Sequence, residues 1–158
     1  MAALLTASTF AQGRVSELER RFEQTLDPVG KAKLMPDLGE AEFAEIRKDV
    51  EADRQMDAVA GLEKYRDQAQ ACAKALDAAG LDAEKHSSGF KQLQISLRES
   101  LRRLDALLPM MTADDQAPFV EVRKELDELD RHLIQELFPG RVQAPPKAAK
   151  PKAEGPQP

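Results

Sequence analysis

The chain has 158 residues, enough for one domain, and 32% of them are charged while only 4% are aromatic and none is Trp. Ala, Leu, Glu, Asp, Lys and Arg dominate, a composition that favours helices over strands. A net charge of −5 argues against nucleic acid or anionic lipid as a partner, no apolar run approaches the ~18 residues of a membrane span, and a lone Cys72 excludes both an intrachain disulfide and a cysteine-based zinc site.

The opening, MAALLTASTFAQ, carries no charged side chain. Thr9 and Ala11 stand where the small residues of a secretory cleavage site belong, but Met1–Leu5 is a short apolar core with no Lys or Arg before it. Residues 1–12 are therefore either the remnant of a signal peptide whose start lies upstream or a frayed helical N-terminus. Ser8-Thr9 and Gln12-Gly13 serve a helix poorly, which favours the signal peptide. That reading places the mature chain, from Gln12, in the periplasm or outside the cell.

A first helix over 14–26 turns Val15, Leu18, Phe22 and Leu26 inward. Asp27-Pro28 can cap and start the next segment, which Pro36 and Gly39 should interrupt before residue 40. Phe43, Ile46 and Val50 form one stripe, while Leu62, Tyr65, Ala69, Cys72, Leu76 and Ala79 form another in a shifted register. The slip predicts a break near 52–54, with one continuous, phase-shifted helix over 40–79 as the alternative. Gly80 is a candidate C′ residue, with Leu81 packing back on the last turn.

Phe90, Leu93, Leu97, Leu101, Leu104 and Leu108 then recur at steps of three and four, as do Phe119, Val122, Leu126, Leu129, Leu133 and Leu137. Ser87 or Ser88 can cap the first of these helices, and Asp114 or Asp115 the second, with Pro118 in its first turn. Helices over 88–108 and 115–138 follow, joined as an antiparallel hairpin whose Leu97, Leu101, Leu104, Leu126, Leu129 and Leu133 should be mutually buried. In all, the pattern predicts an all-α antiparallel bundle of about five helices with short loops, occupying 13–138. The Pro/Lys/Ala-rich tail, 139–158, should be disordered. Burying Val142 would gain ~2 kcal/mol, against a cost of ~1–2 kcal/mol for each residue ordered.

Sequence signals for chemistry are sparse. Glu128, His132 and Glu136 are spaced i, i+4, i+8, which puts them on one helical face as candidate metal ligands. A helix this rich in charge yields such triples readily, and no tight metal site is expected. Cys72 sits on an apolar stripe, as a small core residue does. No glycine-rich phosphate loop or other cofactor motif occurs, so neither a cofactor nor catalysis is expected. Lys91, Arg98, Arg102 and Arg103 give one helix a basic side without the interleaved aromatics that base stacking needs.

Two resemblances follow. DRQMDAVAGLEKYRDQ, with Ala58, Gly61, Leu62 and Tyr65, resembles the second helix of a tetratricopeptide repeat, and LGEAEF before it resembles the first, although no second copy follows at thirty-four residues. DPVGKAKL, LEKYRDQ and FKQLQISLRESLRRLDALLP together resemble a family of uncharacterised exported helical proteins from soil bacteria. That resemblance implies an all-helical exported domain and carries no activity or site residues. The leading expectation is a non-enzymatic exported domain that binds a protein or cell-envelope macromolecule. A cytoplasmic tetratricopeptide-like adaptor is the alternative, and a metal-binding or enzymatic bundle the third.

Overall fold

The computed structural model describes residues 6–140. The segments at 1–5 and 141–158, and with them most of the expected tail, lie outside the described residues. Among those residues the fold is an all-α bundle: α1 (Thr6–Gln24), α2 (Pro28–Glu51), α3 (Gln55–Ala78), α4 (Ser87–Leu107) and α5 (Ala113–Leu137), with a 3₁₀ turn at Leu108–Met110. None of these helices is long and apolar enough to cross a membrane.

α2 is the central element. It packs most extensively on α3 and α4 and also carries α1, while α5 lies against α4 and α3. Its start follows from local chemistry. Asp27 is the N-cap, its carboxylate accepts from the Gly30 N–H at 2.6 Å, and Pro28 fills the first turn. The expected interruption at Pro36 and Gly39 does not occur, because α2 runs through both. An interior proline costs ~3 kcal/mol, whereas burying a single large apolar side chain gains ~1.5–3 kcal/mol. Met35, Leu38, Phe43 and Ile46 are all buried on this helix, so packing outweighs the lost hydrogen bond. Gly39 serves close packing rather than a turn: a Cβ there would sit 3.0 Å from Cε2 of Tyr65.

The predicted break near 52–54 is present. Asp53 adopts the left-handed region at φ 58°, and Arg54 ties back to Asp49 at 2.6 Å. Gly80 takes φ 63° after α3, with Leu81 half-buried behind it. Four details differ from expectation. α1 begins at Thr6 and stops at Gln24, leaving Leu26 91% exposed instead of inward. His86, not Ser87 or Ser88, precedes α4 at the cap position. Thr112 caps α5, accepting from the Asp115 N–H, which places Asp114 and Asp115 inside the first turn and Pro118 in the second. In the α4/α5 hairpin, Leu97, Leu104, Leu126 and Leu133 are fully buried while Leu101 and Leu129 are only partly so. α4 is covered by α2 as well as α5, and this turns Ser96 and Ser100 into the core and moves Leu101 to its edge.

Candidate functional site

The residues singled out as metal ligands do not assemble. Glu128 and Glu136 are exposed along α5, and His132 turns across to α3, its Nε2 3.5 Å from an Asp77 carboxylate oxygen. Asp77, Glu128 and His132 line one cleft, yet among the described residues no three His, Cys, Asp or Glu side chains converge to hold an ion. Cys72 is buried, and burial pushes its thiol up to about 12, so it stays protonated and unreactive.

The bundle interior holds a complete polar circuit. The Tyr65 hydroxyl, fully buried between α2, α3 and α4, accepts from Ser100 Oγ at 2.7 Å and meets Ser96 Oγ at 3.0 Å. Ser96 Oγ donates to the Met35 carbonyl at 3.0 Å, so the Tyr65 hydroxyl hydrogen is the one directed at Ser96. Every hydrogen in the chain Ser100–Tyr65–Ser96–Met35 is used once. Tyr65 also meets Phe43 edge-on, ring centroids 5.2 Å apart. Asp130 on α5, another buried polar group, accepts from Gln94 Nε2 at 3.0 Å. Its carboxyl is pushed up by burial, and Gln94 and Arg98 offset part of that.

Glu42, on the side of α2 that faces α1 and α3, is different. It is 4% exposed, and neither carboxylate oxygen has a hydrogen-bond donor in bonding geometry. Burial pushes its carboxyl up to about 8. Gln68 and Lys64 beside it pull the other way, and Glu19 reinforces the rise. Glu42 lines a cleft of ≈ 190 Å³ together with Val15 and Glu19 of α1 and Gly61 and Lys64 of α3. The sequence did hold a signal here. Leu38, Glu42, Ile46 and Val50 follow at steps of four, so a glutamate occupies an apolar row.

A groove of ≈ 330 Å³ lies on another side of α2, against α4 and the 3₁₀ turn. Phe43, Ala44, Ala106, Leu107 and Met110 supply its apolar surface, and Glu40, Arg47 and Arg103 its charged rim. The Arg103 guanidinium stands 6.0 Å from the centroid of the Phe43 ring. Arg47 is held by Glu51 at 2.8 Å, whereas Arg103 has no carboxylate within ion-pair distance among the described residues. Of the residues that give α4 its basic side, Arg102 pairs with Glu99, and Arg103 is the one drawn into this groove.

Compared with known proteins, the chain matches no family model, no curated protein and no solved structure.

Proposed function

We propose that this chain is a non-enzymatic, exported helical domain that works by binding another macromolecule, and that the groove between α2 and α4 receives an acidic, apolar segment of a partner protein. The observation that carries the reading is Arg103: a guanidinium on the face of Phe43, over an apolar floor, without a carboxylate of its own. An apolar anchor would fill the floor between Phe43, Leu107 and Met110, and a carboxylate beside it would complete the charge pair. The uncharged opening with Thr9 and Ala11 supports export, which fractionation of the native protein and determination of its first residue would test.

The binding reading is tested by fluorescence anisotropy with a labelled helical peptide carrying two leucines one turn apart and flanking glutamates. Saturable binding that weakens with salt, and falls about tenfold or more in Arg103→Glu (~1.4 kcal/mol), is the expected result. No binding would overturn it. A second reading, a cytoplasmic adaptor of tetratricopeptide type, draws on Gly61, which lets Ile46 of α2 lie 3.1 Å from where a Cβ would stand on α3. That reading seats a peptide along the α2/α3 pair, and peptide affinity unchanged by Arg103→Glu would favour it over the α2/α4 groove.

A further inference from the structure

Four carboxylates, Glu19, Glu42, Glu45 and Asp49, line the cleft enclosed by α1, α2 and α3. Three of them are matched at the rim: Glu19 by Lys64 at 2.6 Å, Glu45 by Lys48 at 2.7 Å and Asp49 by Arg54 at 2.6 Å. Glu42, the deepest, has no such match. Both its oxygens are buried and have no donor in full bonding geometry; the Gln68 side chain stands close enough to lower the Glu42 carboxyl in part, without completing a hydrogen bond to it. Once ionised, Glu42 therefore lacks a matching cation and has no donor in bonding geometry for either oxygen.

We infer that this cleft binds a primary alkylammonium group, seated on Glu42 with its alkyl stem against Val15, Ile46 and Gly61. An ammonium carries one charge and three N–H donors and has no acceptor, so it can meet both Glu42 oxygens and compensate the ionised carboxylate. A divalent ion fits less well, since it would have to draw Glu19 or Glu45 away from its lysine, and no three acidic side chains converge here. The cleft volume of ≈ 190 Å³ suits a single unbranched chain. The groups that face Glu42 are Glu19 from α1, Glu45 and Asp49 from its own helix, and Lys64 and Tyr65 from α3.

Burial, which pushes the Glu42 carboxyl up to about 8, keeps a proton on it at neutral pH. Binding is then an exchange in which the ammonium enters, the Glu42 O–H bond breaks and its proton leaves to solvent. The amine remains protonated throughout. This exchange is independent of the α2/α4 groove.

Isothermal titration calorimetry with n-butylammonium chloride tests it, in buffers of different ionisation enthalpy, on the full chain. The expected result is binding with close to one proton released per amine at pH 7 and almost none at pH 9, where the carboxylate is already ionised. Affinity should fall about tenfold for each pH unit below 8. Glu42→Gln should lose the binding while keeping a thermal melt at or above that of the unaltered protein. A titration with a lysine-containing peptide distinguishes the sources: binding of the peptide as well as the free amine assigns the site to a partner's lysine, and binding of the amine alone assigns it to a small molecule. No heat with n-butylammonium, equal affinity in Glu42→Gln, or no proton release from the unaltered protein at pH 7 would each overturn the inference.

Discussion

Tyr65 and Glu42 are both polar, both buried and both packed between α2 and α3, but the protein treats them in opposite ways. Around Tyr65 each hydroxyl has a partner, the groups are neutral, and the circuit ends on a backbone carbonyl of α2. Around Glu42 the buried acceptors have no donor in bonding geometry, and its carboxyl, unlike those of Glu19, Glu45 and Asp49 at the rim, has no cation paired to it. A satisfied neutral network costs little to bury and fixes the mutual register of three helices. An unsatisfied carboxylate stabilises nothing, and its penalty persists unless a proton or a cation arrives. The first site belongs to the architecture, and the second is where chemistry from outside can act.

Replacing the tyrosine should have the largest effect. Tyr65→Ala removes a fully buried ring and strands Ser96 and Ser100, at a cost of ~3–5 kcal/mol in denaturant unfolding. Tyr65→Phe removes the hydroxyl alone and should cost ~1–2 kcal/mol. Equal losses in the two variants would mean that the circuit, rather than the ring, holds the three helices.

Glu42 should show its effect through pH. Its folded value, about 8, lies above its ordinary value of 4.5. Between these two values folded Glu42 holds a proton that the unfolded one has lost, so its contribution to stability falls as pH rises from 4.5 to 8 and is flat on either side. The limiting slope is ~1.4 kcal/mol per pH unit. Glu42→Gln should flatten this window, and it should be more stable than the unaltered protein at pH 8 and closer to it at pH 5. Subtracting the two profiles isolates Glu42 from Asp82 and Asp105, whose carboxyls are held below the usual range by backbone N–H groups and by Arg123 respectively. Parallel profiles would remove the contrast between the two sites. The smallest effect belongs to Leu26, where Leu26→Ser should alter stability by less than ~0.5 kcal/mol.

The helical periodicity made the architecture legible. The stripe at Leu62–Leu76 and, apart from Leu101 at its edge, the stripe at Leu93–Leu104 lie in the core as their spacing requires, and the register slip at 52–54 marks a real turn. Pro36 and Gly39 misled because a local breaker is read without its neighbours. Gly39 is small to admit Tyr65, twenty-six positions away in the chain, and no window of local pattern contains that contact. The site was less legible for the same reason. In the sequence Glu42 shows only as a polar residue in an apolar row, and its isolation needs α1 to cover it; Arg103 becomes distinctive only once Phe43 meets it, while Glu128, His132 and Glu136 shared a face without sharing a centre.

α1 has a consequence for the order in which the bundle breathes. Among its described side chains only Leu18 and Phe22 are buried, against five or more on each of the other helices. Their burial gains ~1.5–3 kcal/mol apiece, supplemented by Lys31 over the Phe22 ring and the Glu19–Lys64 pair. That is a shallow latch beside the global stability of a domain, so α1 should lift by sub-global opening while α2 to α5 stay closed. Amide protons of α1 should exchange with deuterium well before those of α3 and α4. Because Val15 and Glu19 form one wall of the cleft, each opening also lets water reach Glu42, and a ligand that bridges the cleft would slow the exchange of α1 selectively.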